Sequence, residues 1–136
     1  RYSSLQNKYR IPYPATLKRN IIERQSLLLE KSLPAFSKQI KKALKRKDIL
    51  ALNHRSSEFF ASYFDLLFAL NEQLHPGEKR MLSYAKKNCN LLPRDFEANI
   101  QAYFQNLYQR DKLQETLDTL NQLLEQLKSL VETTTI

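Results

Sequence analysis

Apolar residues return every three or four positions along most of the chain, which is the spacing of helices with one buried face. Ser32 and Asp48 are residue types suited to the N-cap of a helix, and Pro34 and Pro93 suit a first helical turn. The predicted helices cover about residues 14–31, 32 onward, 48–71, 78–89, 93 onward and 111–132. The pattern therefore predicts an all-α fold, a single bundle of about six helices.

The helix predicted for residues 48–71 is the most apolar of the set. At 100° per residue its apolar side chains cover about 200° of the helical wheel. The residues of this face are Ile49, Leu52, Ser56, Phe59, Phe60, Tyr63, Phe64, Leu66, Leu67, Phe68 and Leu70. Because so wide an apolar face must be covered from several sides, we expect this helix to be the central one of the bundle.

The composition agrees with a helical domain and narrows the alternatives. The single glycine, Gly77, argues against a fold of many hairpin turns. No apolar run reaches the roughly 20 residues that cross a bilayer, so we expect no membrane partner. The lone Cys89 permits no intrachain disulfide and favours a cytoplasmic setting. We expect residues 1–12 to be a linker or docking arm, residues 13–136 to form the bundle, and the chain to be a fragment of a longer protein.

Charge is distributed unevenly along the chain. Residues 1–57 contain 14 Lys and Arg against 3 Asp and Glu, whereas residues 58–136 contain 8 against 11. In the basic half, four lysines share one helical face: Lys38, Lys41, Lys42 and Lys45. Such a face can hold phosphates or nucleic acid electrostatically without reading a base sequence. The alternative interpretation is a solvated cationic surface.

Four polar residues form an arc along one side of the predicted central helix, which we call the polar arc. His54, Glu58, Asp65 and Glu72 lie within about 40° of one another on the wheel. This arrangement is typical either of a ligand-site wall or of a solvated face with contacts such as His54 to Glu58. Asp65 interrupts an aromatic run, so we expect it to be exposed or to pair with Arg55, Lys79 or Arg80.

The sequence His75-Pro76-Gly77-Glu78 predicts a turn, since proline presets one dihedral angle and glycine accepts the positive φ that follows. His75 could act as an acid or base, although a loop histidine is more often polar surface. Glu78 suits the positive end of the next helix without any ligand. Two histidines without a matching cluster of Cys, Asp or Glu predict no metal site.

The block from Leu52 to Asn71, followed by His75-Pro76-Gly77-Glu78-Lys79-Arg80, resembles a helical domain of unknown function. Domains of that family follow polymerase-β-like nucleotidyltransferase domains in bacterial proteins. The likeness is strongest over residues 52–82, and its specific parts are Tyr63-Phe64-Asp65 and the segment 75–80. A weaker likeness extends in the N-terminal direction to Tyr13-Pro14 and in the C-terminal direction to Leu92-Pro93.

The resemblance implies an accessory domain that closes the cleft of a nucleotidyltransferase and shapes its acceptor side. The catalytic domain would lie upstream in the same polypeptide and bind Mg²⁺ and a nucleoside triphosphate. This chain contains neither the Gly-Ser pair nor the Asp-x-Asp motif of such a domain and is expected to hold no cofactor itself. The resemblance implies that these residues line the acceptor side or the domain interface: Asn53, His54, Arg55, Tyr63, Asp65, Asn71, His75, Glu78, Lys79 and Arg80.

Two alternatives from other functional classes stay open at this point. The first is a nucleic-acid-binding helical module that uses the basic segment 38–47. The second is a structural domain whose last helix pairs chains into a homodimer. That helix has a leucine seam of Leu113, Leu117, Leu120, Leu124, Leu127 and Val131.

Overall fold

The computed structural model describes residues 23–24, 26–74, 76–77 and 79–134, and all regular structure in these residues is helical. The α-helices are α1 (Leu33–Arg46), α2 (Ile49–Leu70), α3 (Met81–Asn88), α4 (Phe96–Asn106) and α5 (Leu113–Thr134). A π-helical turn, Leu28–Ser32, leads into α1, and a short 3₁₀ helix, Arg110–Lys112, leads into α5. The all-α prediction is confirmed. The predicted helix 14–31 lies mostly outside the described residues.

The start of α1 differs from the prediction that Ser32 is the N-cap of a new helix. Ser32 is already helical, and its side chain makes no capping hydrogen bond. Pro34 has no N–H for the usual helical bond, and its ring would crowd the preceding turn. The wider π-helical turn accommodates this, with the Leu33 N–H donating to the carbonyl of Leu28.

The corner between α1 and α2 is built from two consecutive residues. Lys47 adopts a left-handed conformation with φ of 59°, and its N–H donates to carbonyls at the end of α1. The Asp48 carboxylate then accepts a hydrogen bond of 3.2 Å from the N–H of Ala51. The prediction that Asp48 caps the third predicted helix is therefore confirmed.

The apolar face of α2 holds much of the core. Its nine buried residues span roughly 200° of the wheel, as the spacing predicted. They are Leu52, Ser56, Phe59, Phe60, Tyr63, Phe64, Leu66, Leu67 and Phe68. By contrast, Ile49 was predicted to be part of this face but is 60% exposed.

α2 contacts each of the other four α-helices. α1 packs along it, and α5 touches both α1 and α2. Ser56 and Tyr103 share a buried hydrogen bond of 2.6 Å that joins α2 to α4. Edge-to-face packing of Phe68 and Tyr84, with ring centroids 5.6 Å apart, joins α2 to α3. The residues of α2 thus link the other four α-helices to one another.

α3 and α4 begin later than the sequence predicted. Arg80 and Asp95, the residues before them, are left-handed with φ of 57° and 55°. Gly77 has φ of 93°, which confirms the positive φ predicted for the Pro-Gly turn. Four residues spaced by three or four positions are buried on α4 and just after it: Phe96, Ile100, Tyr103 and Leu107.

The leucine seam of α5 is used within the chain. Leu120 and Leu127 are fully buried, and α5 packs mainly on α4 and α1. A homodimer formed through the buried leucines of this seam would have to open the bundle, and the pairing of chains stays a prediction. None of the described helices combines the length and hydrophobicity required to cross a membrane.

Candidate functional site

The structure brings two residues of the polar arc of α2, His54 and Glu58, into one surface cluster with the neighbouring Arg55. The Glu58 carboxylate lies 2.6 Å from His54 Nε2 and accepts a hydrogen bond of 3.1 Å from Arg55 Nη1. Both contacts lie within one helical turn, and the His54 side chain is 68% exposed. The cluster therefore holds an imidazole and a guanidinium in fixed positions at the solvent boundary.

Asp65 stands apart from that cluster. Eleven residues separate it from His54, which is about 16 Å along the helix axis. Its carboxylate lies 3.7 Å from a guanidinium nitrogen of Arg24, a partner that the sequence did not identify. Glu72 has left the helix, because α2 ends at Leu70 and Glu72 is left-handed with φ of 55°. The polar arc is therefore no single row of converging groups.

Tyr63 lies inside the core. Its side chain is fully buried, and its ring packs against those of Phe59, Phe60 and Phe64. Its hydroxyl has no hydrogen-bond partner among the described residues, and burial raises the pKa of this group well above its ordinary value. In this conformation an apolar shell separates Tyr63 from solvent. Its place on the acceptor side or at the domain interface, which the resemblance implies, stays a prediction.

Asn71 is a clamp between two parts of the bundle. Its amide nitrogen donates to the carbonyls of Leu67 and Leu91 at 2.8 and 2.9 Å, and its oxygen accepts from the Leu91 N–H at 2.8 Å. These bonds satisfy backbone groups at the end of α2 and in the segment between α3 and α4. Asn71, one of the predicted site residues, therefore has a structural role in this fold.

Replacing Asn71 by alanine should lower the free energy of unfolding by about 1–3 kcal/mol, because the Leu91 carbonyl and N–H lose this partner. The Leu67 carbonyl loses one of two donors and keeps the backbone N–H of residue 71. Urea unfolding followed by circular dichroism measures the change. Asn71→Asp keeps an acceptor for Leu91 but loses both donated bonds, so it should also destabilise. His54→Ala on the exposed face is the control and should change stability by about 0.5 kcal/mol or less. Equal effects of Asn71→Ala and His54→Ala would refute the clamp.

The remaining predicted site residues are dispersed. Asn53 is exposed and its oxygen accepts a hydrogen bond from the Tyr108 hydroxyl, a contact that joins α2 to the end of α4. Lys79 and Arg80 are exposed in the segment between α2 and α3. His75 and Glu78 lie outside the described residues.

The four predicted lysines of α1 share an exposed face. Lys38, Lys41, Lys42 and Lys45 are all exposed, whereas Ile40 and Leu44 on the opposite side are buried. Residues 31–47 contain seven Lys and Arg and no Asp or Glu. Among the described residues, no acidic side chain lies within ion-pair distance of these four lysines. We call this surface the lysine face.

The structure also has a groove that the sequence did not indicate. It lies between α3 and α4, is open to solvent and has a volume of about 440 Å³. An ion pair of 2.9 Å between Lys86 and Glu97 bridges its walls. None of the predicted site residues lines it. The ion pair of Lys86 with Glu97 depends on how α3 and α4, two short helices, approach one another. The local sequence contains no signal for that approach.

Within the described part of the chain, no three His, Cys, Asp or Glu side chains come together as a metal site requires. Comparison of the chain with family models, with curated proteins and with solved structures gave no match in any of the three.

Proposed function

We propose that this chain is an accessory, substrate-shaping domain of a nucleotidyltransferase, a bundle of about six helices centred on α2. It would hold the phosphates of an acceptor beside a catalytic domain of the same polypeptide. The resemblance of residues 52–82 supports the class of enzyme. The lysine face of α1 supports the binding of phosphate, and it is the observation on which the proposal depends.

The lysine face has the properties that phosphate binding requires. Four ammonium groups on one side of a single helix form a positive surface, and no described carboxylate neutralises it. Lysine contacts phosphate through charge, with little dependence on the identity of the base. A partner with several phosphates in series would engage more of these groups at once than a free phosphate ion.

The cluster of His54, Arg55 and Glu58 supplies a second element. It lies on the exposed side of α2, the helix along which α1 packs. The Arg55 guanidinium has five N–H donors, so its bond with Glu58 leaves donors for a phosphate oxygen of the acceptor. In the proposal Arg55 positions the acceptor. Asn53, Lys79 and Arg80 remain candidates for the interface with the catalytic domain.

Changing Lys38, Lys41, Lys42 and Lys45 together to Gln should weaken binding of the chain to an RNA or DNA oligonucleotide by more than about tenfold at ~0.1 M salt. The slope of log affinity against log salt concentration should become less steep by about 3, because each of the four lysine–phosphate contacts contributes roughly 0.7–0.9. Fluorescence anisotropy at several salt concentrations measures both quantities. In the full-length protein, the same variant should raise the KM for the acceptor.

The matched control removes the same charge from other places on the surface. Lys87, Arg94, Lys112 and Lys128 lie outside α1, and their replacement by Gln should leave the affinity nearly unchanged. If both quadruple variants weaken binding equally, only net charge matters and the lysine face has no special role. If the unmodified chain binds no oligonucleotide at low salt, the proposal fails.

The second candidate function is a nucleic-acid-binding module that serves no nucleotidyltransferase, which the lysine face supports equally well. The full-length protein distinguishes the two. Incubated with Mg²⁺ and nucleoside triphosphates, the protein of the first proposal transfers a nucleotide to an acceptor. The protein of the second candidate binds the oligonucleotide without modifying it.

A further inference from the structure

Three large side chains are exposed although they are apolar or aromatic. Leu50 near the start of α2 is 82% exposed, Phe104 of α4 is 45% exposed, and Tyr108 just after α4 is 55% exposed. Single exposed apolar residues are ordinary, whereas a contiguous group of them marks a surface where something binds.

These three side chains lie along one side of α2, and we call them the apolar strip. Leu50 and Asn53 are one helical turn apart on α2, and Asn53 accepts the hydrogen bond from Tyr108. Phe104 packs on Phe60, which lies two helical turns after Asn53 on the same side of α2. The strip begins at the corner where α1 ends in Lys45, Arg46 and Lys47. Cations therefore lie at one end of the strip and aromatic rings at the other.

The two rings of the strip are held in place before any partner binds. The Phe104 ring lies 5.2 Å from that of Phe60 and 5.2 Å from that of Tyr103, both of which belong to the core. The Tyr108 hydroxyl is fixed by Asn53. A ring held by its neighbours loses little side-chain entropy when a flat group stacks on it.

We propose that the apolar strip binds single-stranded nucleic acid, with bases stacked on Phe104 and Tyr108 and phosphates held by the cations at the end of α1. This inference rests on the proposed function and specifies its partner. Proteins that bind single strands combine a positive surface with exposed aromatic rings, on which any base can stack. In a duplex the faces of the bases are covered by one another, so the rings would gain nothing.

The test uses the 136-residue chain and a fluorescein-labelled oligouridylate of about 12 nucleotides, a length within the range that one such module covers. A duplex of the same length is measured in parallel. Phe104→Leu and Tyr108→Leu keep an apolar side chain but remove the ring. Each should lower the single-strand affinity roughly tenfold, because stacking on a ring contributes that order of affinity per base. Neither should change duplex binding or the salt slope, which the lysines determine.

The control variant is Leu74→Ala, because Leu74 is 63% exposed and lies beyond the other end of α2. It should leave single-strand binding unchanged, and thermal melts should show that all three variants remain folded. Single strands that bind no more tightly than duplex would overturn the inference. So would ring variants with unaltered affinity, even if the lysine variant had lost binding and the proposed function stood.

Two other results would assign the strip to a different partner and overturn the inference. In the first, the ring variants abolish a concentration-dependent dimer in light scattering but leave oligonucleotide affinity intact. In the second, the chain sediments with vesicles containing phosphatidylserine, and this binding depends on Leu50. The oligonucleotide does not compete with the vesicles for the chain. If the unmodified chain binds neither single strands nor duplex, the proposed function fails together with the inference.

Discussion

Replacing Phe59 by alanine should lower the free energy of unfolding by about 3–5 kcal/mol, the largest loss that we expect from a single substitution here. Phe59 is fully buried on α2. Its ring centroid lies 5.2 Å from that of Phe60 and 6.2 Å from that of Tyr63. Removing the ring leaves a cavity where the helix connects its neighbours, and a domain of this size has only about 5–15 kcal/mol of stability in total.

Urea unfolding followed by circular dichroism tests this expectation. Phe104→Ala is the matched control, because it deletes the same ring where the side chain is 45% exposed. It should cost about 1 kcal/mol, the typical effect of a point substitution. A Phe59 variant no less stable than the Phe104 variant would show that α2 does not occupy the core.

Local patterns in the sequence were sufficient to predict α2. Its apolar residues follow the helical period, and most of them form the buried arc. Asp48 was predictable as its cap because capping involves neighbours in the chain. Ile49 was predicted wrongly: periodicity assigns a residue to a face, but whether a neighbour covers the first turn of that face depends on packing.

The candidate site was harder to predict, because a helical wheel discards distance along the axis. His54 and Asp65 share a direction on the wheel but lie about 16 Å apart. The contacts that define the surface join residues remote in sequence, as in Arg24 with Asp65, Asn71 with Leu91, and Tyr108 with Asn53. No single sequence contains a signal for these pairs, because each depends on how two segments approach one another.

The lysine face illustrates the opposite case. Its four members lie within one helix, so their spacing alone predicted their common exposure. The phenylalanine and tyrosine of the apolar strip gave no such signal. Phe104 has the same residue type as the buried rings of α2, and only the packing of α4 shows that it remains exposed.

Stability should fall steeply at alkaline pH, because two buried tyrosines resist ionisation in the folded state. Burial raises the pKa of Tyr103 to about 12, although its hydrogen bond with Ser56 acts in the opposite direction. Burial raises the pKa of Tyr63 as well. In the unfolded chain both groups titrate near pH ~10.

The sign of this effect follows from counting protons. Below pH ~10 both tyrosines are protonated in the folded and unfolded states, so neither makes stability depend on pH. Above that pH the unfolded chain releases their protons while the folded chain retains them, which favours unfolding. For Tyr103 the loss grows by up to about 1.4 kcal/mol per pH unit and reaches about 2 kcal/mol near pH 12. Tyr63 adds a loss of the same sign.

Urea titrations at a series of alkaline pH values measure this loss, and two variants separate it from the ionisation of the lysines. Tyr63→Phe removes a hydroxyl that has no described partner, so it should cost little at neutral pH. Tyr103→Phe leaves the buried Ser56 hydroxyl unpaired and should cost about 1–3 kcal/mol at neutral pH. Each should make stability fall less steeply above pH ~10 than in the unmodified chain. If all three proteins lost stability in parallel, neither ring would be as deeply enclosed as the core around α2 requires.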